Sequence, residues 1–318
     1  MAEERKYDII IVGGGPGGLC AGLYAARANR TAVCLEKYLP GGQIALTGEV
    51  EDYLGFDLIQ GADLAMKFHQ HAAKFGLKVE MEEVEEVYCE GEDRIARCAS
   101  GNIYRGKALI LATGGSPVKL GVPGEQEYSG RGVSYCAICD GAFFKEQVIA
   151  VVGGGDAAVE EGAYLTKFAS KVIIIHRRDK LRAAKIIQER AAKNPKIEFL
   201  WDSEVLAING NGTRVTDLTI INNKTNKESK LEVGAIFPYI GFYPNNNYVR
   251  EDIKRDAEGY FITDYKMETN VPGIYAIGDV RVQYVRQVTN AVGDGTVAAV
   301  AAEKRIEELE DKATHKVG

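Results

Sequence analysis

Cys136 and Cys139 stand three positions apart in "SYCAICDGAFF", with Asp140 directly after the second. Such a pair could be half of a zinc site, a structural staple, or a redox dithiol that opens and closes during turnover. A structural zinc site takes four ligands, and the remaining two usually arrive as a second close pair. The other cysteines (Cys20, Cys34, Cys89 and Cys98) offer no second C-x-x-C, and the histidines (His69, His71, His176 and His315) are scattered. No metal site is expected. If the stretch opens a helix, the pair spans one turn, and free N–H groups there lower the pKa of the first sulfur.

Glycine is the second chemistry-bearing residue type. "YDIIIVGGGPGGLCAGLYAARANRTAVCLEK" from Tyr7 and "EQVIAVVGGGDAAVEEGAYLTKFASKVIIIHRR" from Glu146 follow one plan. Each reads as a buried strand, a glycine turn, an amphipathic helix and a second apolar strand. The turns carry Gly13, Gly15 and Gly18 in the first copy, with Pro16 opening the helix, and Gly153, Gly155 and Ala158 in the second. That pattern provides a tight turn, close approach of backbone to a pyrophosphate, and a helix N-terminus facing the phosphates. Glu36 and His176 each stand 23 residues after the first glycine of their turn. An acid there accepts hydrogen bonds from ribose hydroxyls, so the first copy suits FAD or NAD. The second copy opens "HRRDKLR", whose Arg177, Arg178 and Arg182 suit the 2′-phosphate of NADP; ordinary surface arginines are the plainer alternative.

The rest of the chain must position these groups. Its 318 residues allow one large domain or two of ordinary size, and 46% apolar with 26% charged is a globular composition. A net charge of −6 argues against general nucleic-acid binding. No apolar run approaches a membrane span. The start passes from "MAEERK" straight into a strand without a secretory pattern, so a cytoplasmic location is expected. Six cysteines in a chain this long make no disulfide framework, and a reducing cytosol disfavours a staple. "GIYAIGDV" near the end reads as a strand closing in a Gly-Asp turn, with a long helix from about Gln287. So late a segment fits completion of the first dinucleotide unit better than extension of the second.

With these landmarks in order, the chain resembles the low-molecular-weight, bacterial and archaeal type thioredoxin reductases. The resemblance runs nearly end to end through "IVGGGPGGLCAGLYAAR", "PGGQI", "LILATGG", "CAICDG", "VVGGGDAAVEE", "HRRDKLRA", "YIGFYPN", "YAIGDV" and "RQVTNAVGDGTVAA". It implies an α/β fold of two Rossmann-like dinucleotide-binding domains, each with three ββα layers. The FAD domain would comprise residues 1–117 and 245–318, and an inserted NADPH domain, 118–244, would carry the cysteine pair.

By the same resemblance, Asp279 beside Gly278 would bind the ribityl chain of the flavin. The backbone at Gln287 and Val288, after Arg286, would face its pyrimidine ring. Gly42 and Gln43 would run along the flavin, Asp52 would reach its ring, and Thr113 and Gly114 would line the same cofactor. The stretch around Val84 would pass the adenine. Asp156 and Ala157 would lie at the NADPH pyrophosphate, with Ala157 standing where the family commonly has Ser. Ile138 stands where Thr or Val is usual.

The implied activity is that of a thioredoxin-disulfide reductase, an oxidoreductase of cell redox homeostasis. Hydride would pass from NADPH to FAD, then electrons to the Cys136–Cys139 disulfide, with Cys139 facing the flavin. Cys136 would attack the disulfide of thioredoxin, and Asp140 would serve as acid and base. Because dithiol and nicotinamide share one domain, that domain would rotate about residues 114–124 and 239–246. A homodimer is implied too. Alternatives are a flavin disulfide reductase with another donor (NADH or ferredoxin) or another acceptor, and a non-catalytic flavin redox sensor.

Overall fold

The computed structural model describes residues 2–46, 49–50 and 52–315. The chain divides into two compact units. Residues 1–47, 53–116 and 243–318 make the first, and 48–52 with 117–242 the second.

The first unit is built on a five-stranded sheet in which every pairing is parallel. Its strands run in the order Ile274–Ala276, Ala108–Leu111, Ile9–Val12, Ala32–Glu36, Lys78–Met81. Parallel strands covered on both faces must be apolar throughout, and Ile9, Ile10 and Ile11 are each 0% exposed. The pleat divides them between two cores. Ile9 and Ile11 pack with Leu19, Ala21 and Ala25 of the helix Pro16–Arg27 and with Ala298, Ala302 and Ile306 of the helix Val288–His315. Ile10 and Val12 pack instead with Val87, Ala96 and Tyr104. Those three residues lie on a second sheet that includes Val84–Glu90, Asp93–Cys98 and Ile103–Gly106. Helices, parallel sheet and second sheet are therefore three layers. At roughly 2 kcal/mol per fully buried aliphatic side chain, the two cores hold them together. The helix Pro16–Arg27 stops where Asn29 turns left-handed, at φ 59°, and the Arg30 N–H returns to the Ala25 carbonyl.

The second unit repeats the arrangement. Its parallel sheet runs Ile197–Leu200, Lys171–Ile175, Val148–Val152, Ala235–Pro238. Ile149, Val151, Val172 and Ile174 pack with Ala158 and Leu165 of the helix Asp156–Leu165. Ala150, Val152, Ile173 and Ile175 pack on the other face with Val205, Ile208, Leu218 and Ile220. These belong to the antiparallel strands Ser203–Gly210 and Val215–Asn222, followed by Lys227–Glu232. The expected pair of ββα units is what the chain forms.

Candidate functional site

In both units the sequence-selected residues gather at the carboxyl ends of the parallel strands, where open α/β sheets bind ligands. In the first unit Gly278 and Asp279 follow Ile274–Ala276, Thr113 and Gly114 follow Ala108–Leu111, Gly13 and Gly15 follow Ile9–Val12, and Glu36 ends Ala32–Glu36. Gly13 has φ +105°, and a Cβ on it would stand 2.4 Å from the Ala112 carbonyl oxygen, so the turn demands glycine. Gly15 has an ordinary φ of −71°, and a Cβ there meets nothing within 4 Å. The protein itself leaves that space open, directly before a helix N-terminus that no side chain caps. A pyrophosphate fits such a cradle. Gly18 packs helix to strand, its missing Cβ 2.0 Å from the Gly13 oxygen.

The loop from Pro40 folds back over this turn. The Gly41 N–H donates to the Gly14 oxygen, and Gly42 brings the position of a Cβ to 3.1 Å from the Gly15 Cα. Gln43 donates to the Gly115 carbonyl. Glu36 already accepts the Gly14 N–H at 2.6 Å and the Tyr38 N–H at 2.8 Å, which leaves about two of its lone-pair sites for a ribose. Thr113 spends its hydroxyl internally, donating to the Asn245 carbonyl at 2.6 Å, so only its backbone remains to line a ligand. Val84 packs against the second core and offers no polar side chain.

Asp279 is half-buried, and burial pushes its carboxyl up while Arg286 and the hydrogen bond from Gln283 oppose the rise. Two residues not singled out from sequence brace its turn. Asp294 accepts the Gly278 N–H at 3.0 Å and an Arg281 N–H at 3.1 Å. Asp294 lies in "AVGDGT", two helical turns into Val288–His315, and only the fold brings it to Gly278. The helix itself begins at Val288, with Gln287 accepting the Ala291 N–H, and Arg286 lies 4.5 Å over the Tyr260 ring.

The second unit carries the parallel set. Gly153 has φ +151°, and a Cβ would stand 2.4 Å from the Tyr239 carbonyl oxygen; at Gly155 a Cβ meets nothing within 4 Å. The helix Asp156–Leu165 again starts without a side-chain cap. His176 occupies the place of Glu36, its ring 2.3 Å from where a Gly154 Cβ would stand. Burial lowers its pKa, and Arg182, Arg178 and Arg177 lower it further, while the hydrogen bond with the Lys180 carbonyl opposes them. The loop after His176 is pinned to the glycine turn. Arg182 and Ala183 donate backbone N–H groups to the Gly154 oxygen at 2.7 and 3.1 Å, and Ala184 donates to Asp156 at 2.6 Å. Arg177, Arg178 and Arg182 are exposed and form no ion pair among the described residues. Asp156 thus holds the arginine loop with one oxygen, and Ala157 is exposed beside it.

A disulfide joins Cys136 and Cys139, whose Cα atoms are 5.3 Å apart. Cys136 is the N-cap of the single-turn helix Ala137–Asp140, and its sulfur accepts the Cys139 N–H at 3.2 Å. That donor would stabilise a Cys136 thiolate. Ser134 accepts the Cys136 N–H at 3.1 Å, and the Tyr239 hydroxyl accepts the Ala137 N–H at 2.7 Å. Ser134 stands in "SYCAICDGAFF" and Tyr239 opens "YIGFYPN", but only the fold gives them these roles. Asp140 follows, with its Oδ1 buried and without a hydrogen-bond partner among the described residues. Burial pushes this carboxyl up, Ser134 opposes the rise, and Asp52 adds to it. Asp52 therefore acts on Asp140 electrostatically within the second unit.

The other thiols are chemically quiet. Burial pushes Cys20, Cys34, Cys89 and Cys98 up, Cys98 to about 12. Among the described residues no group of three or more His, Cys, Asp or Glu could hold a metal ion.

The model of the pyridine nucleotide-disulphide oxidoreductase family matches residues 7–295. The thioredoxin reductases of Listeria innocua and Bacillus subtilis are each 46% identical to the chain over 98% of its length, covering 97% and 98% of their own. The crystal structure of the thioredoxin reductase of Streptococcus pyogenes, 46% identical, aligns with TM-score 0.91 over 95% of this chain and 99% of that one. That of Lactococcus lactis in its FR conformation, 44% identical over 95% and 99%, gives 0.66.

Proposed function

The chain belongs to the pyridine nucleotide-disulphide oxidoreductase family, and from that membership we propose that it reduces the disulfide of a thioredoxin with electrons from NADPH, by way of FAD and the Cys136–Cys139 pair. The observation that carries this reading is the disulfide at a helix start, half-buried, with a buried carboxyl oxygen of Asp140 that has no hydrogen-bond partner among the described residues directly behind it. The open cradles at Gly15 and Gly155 support FAD on the first unit and NADPH on the second.

When bound, the flavin and nicotinamide supply the electron pair that opens the disulfide. The protein's own groups do the rest. Asp140, whose carboxyl burial pushes up toward the protonated form, delivers a proton to the sulfur that leaves. The Cys139 N–H stabilises the Cys136 sulfur as thiolate, the form that attacks. Attack on the acceptor breaks its S–S bond, forms a mixed disulfide through Cys136 and releases one acceptor thiolate. Cys139 then attacks the Cys136 sulfur, which restores the internal disulfide and frees the second acceptor thiol. Glu36 would hold a ribose of FAD, and Arg177, Arg178 and Arg182 the 2′-phosphate of NADPH.

The dithiol and the nicotinamide cradle lie on one unit, so each reaches a single flavin only in turn, by rotation about residues 114–124 and 239–246. We propose a cytoplasmic homodimer, which equilibrium sedimentation tests. Among the described residues no helix is long and apolar enough to cross a membrane.

Anaerobic titration of the yellow protein decides the reading. NADPH should bleach the flavin, and oxidised thioredoxin should restore its colour. Bleaching by NADH alone would replace the donor, and bleaching without reoxidation by thioredoxin would replace the acceptor.

A further inference from the structure

Tyr135, the residue before Cys136, is tied by its side chain to a buried carboxylate. Its hydroxyl donates to Glu125 Oε1 at 2.7 Å, and Glu125 is 4% exposed. The same carboxylate accepts the Leu120 N–H at 2.8 Å on Oε1 and the Gly121 N–H at 2.7 Å on Oε2. Three donors thus converge on one charged group with about four acceptor sites, and charge-assisted bonds of this kind are strong ones. Tyr128 and Val133 of the same segment are buried in the core, but the residues bound to Glu125 are less well packed. Leu120, Val122 and Tyr135 are only partly buried against their core, and a cavity of about 270 Å³ opens beside Gly121, Glu125 and Tyr135. The three polar bonds to Glu125 therefore hold the partly exposed end of this segment at Tyr135.

The other end of Tyr135 leads straight into the reactive cysteine. Cys136 caps its helix in extended backbone, φ −133° and ψ 102°, and only so does its sulfur meet the Cys139 N–H. Anchoring the preceding side chain restricts the backbone that must hold that conformation. We propose that Glu125 is a positioning residue for the redox pair, acting through Tyr135 to keep the Cys136 sulfur on the Cys139 N–H. The inference rests on the dithiol reading of Cys136 and Cys139. It adds a third support to the pair, beside Ser134 and Tyr239, from a residue 11 positions upstream that touches neither sulfur. No electron or proton is exchanged by Glu125. It acts on the thiolate only by holding its neighbour.

Tyr135→Phe tests this, because it removes one hydrogen bond and leaves those from Leu120 and Gly121 intact. The measurement is the pH profile of iodoacetamide alkylation at Cys136, followed by peptide mass in full-length protein carrying Cys139→Ser, which retains the backbone N–H at position 139. Loss of the anchor should move the profile to higher pH. A half-unit rise slows alkylation about threefold below the pKa. Glu125→Gln should move it in the same direction, and the double variant should not add the two effects. A Tyr135→Phe profile identical to that of the parent would overturn the proposal, whatever Glu125→Gln does to folding. A purely structural role would lower the melting temperature and leave the profile of the folded protein in place, which also overturns it. Turnover of thioredoxin by the wild-type chain is measured alongside. Its absence would remove the proposed acceptor while a shifted profile would still establish the positioning.

Discussion

The Tyr239 hydroxyl accepts a 2.7 Å hydrogen bond from the Ala137 N–H, the first donor of the helix that presents the two sulfurs. Tyr239 follows the strand Ala235–Pro238, so the end of the parallel sheet is wired to the redox turn. Ala137 is 1% exposed, and no water can replace the lost acceptor without rearrangement. Tyr239→Phe should cost about 1–3 kcal/mol, the penalty for a buried unpaired N–H. Thermal unfolding should show a transition lowered by several degrees, and an unchanged one would mean that the helix start finds another acceptor.

Asp140 makes the opposite trade. Burial raises its carboxyl above the ordinary range. In the unfolded chain it ionises at its usual pKa, while the folded chain resists, so its burden on stability is absent in acid and grows as pH rises through that interval. Asp140→Asn should therefore be more stable than the parent at neutral pH and no more stable in acid. The same variant should slow opening of the disulfide by about 10²-fold, the scale of one acid–base group, while leaving flavin bleaching by NADPH intact. Stopped-flow absorbance separates the two steps, and equal loss in both would remove Asp140 from its role.

Gly155→Ala and Gly153→Ala should part company. A Cβ at Gly155 meets nothing in the protein, so the variant should fold with an unchanged melting temperature yet bind NADPH at least tenfold more weakly, by calorimetry. At Gly153 the same methyl meets the Tyr239 carbonyl at 2.4 Å in a left-handed turn, so the fold should suffer first. Full-strength nucleotide binding by Gly155→Ala would empty the cradle of its meaning.

Neutral replacements of Arg177, Arg178 and Arg182 together should raise KM for NADPH by tenfold or more and leave KM for NADH nearly constant. Equal effects on both cofactors would return these arginines to ordinary surface.

What could be read from the sequence was what depends on neighbours in the chain. The glycine turns, the helix beginning at Cys136 and the strands Ile9–Val12 and Val148–Val152 declare themselves within a dozen residues. Tyr239 reaches Ala137 across 102 positions, and Asp294 reaches Gly278 across 16, with no periodicity to announce either. The stretch after His176 is another instance. "HRRDKLR" could have begun a solvated helix, but two N–H bonds to the Gly154 carbonyl fold it as a loop, and helix starts only at Lys185–Ala192. Strand Lys227–Glu232 is exposed on both faces except at the partly buried Leu231, and irregularities in Ser203–Gly210 break its alternation, so neither strand announces itself.

The interruption of the first unit has a consequence for synthesis on the ribosome. Its strand Ile274–Ala276 and its longest helix, Val288–His315, emerge only after the whole segment 117–242 has been made. The second unit is nearly contiguous and can close its sheet while the first still lacks an edge strand and a covering helix. At about 5–20 residues per second, the early strands Ile9–Val12 and Ala108–Leu111 wait on the order of ten seconds or more with one core uncovered. The nascent chain is therefore most exposed to aggregation in its first third, and the first glycine turn gains its finished surroundings last.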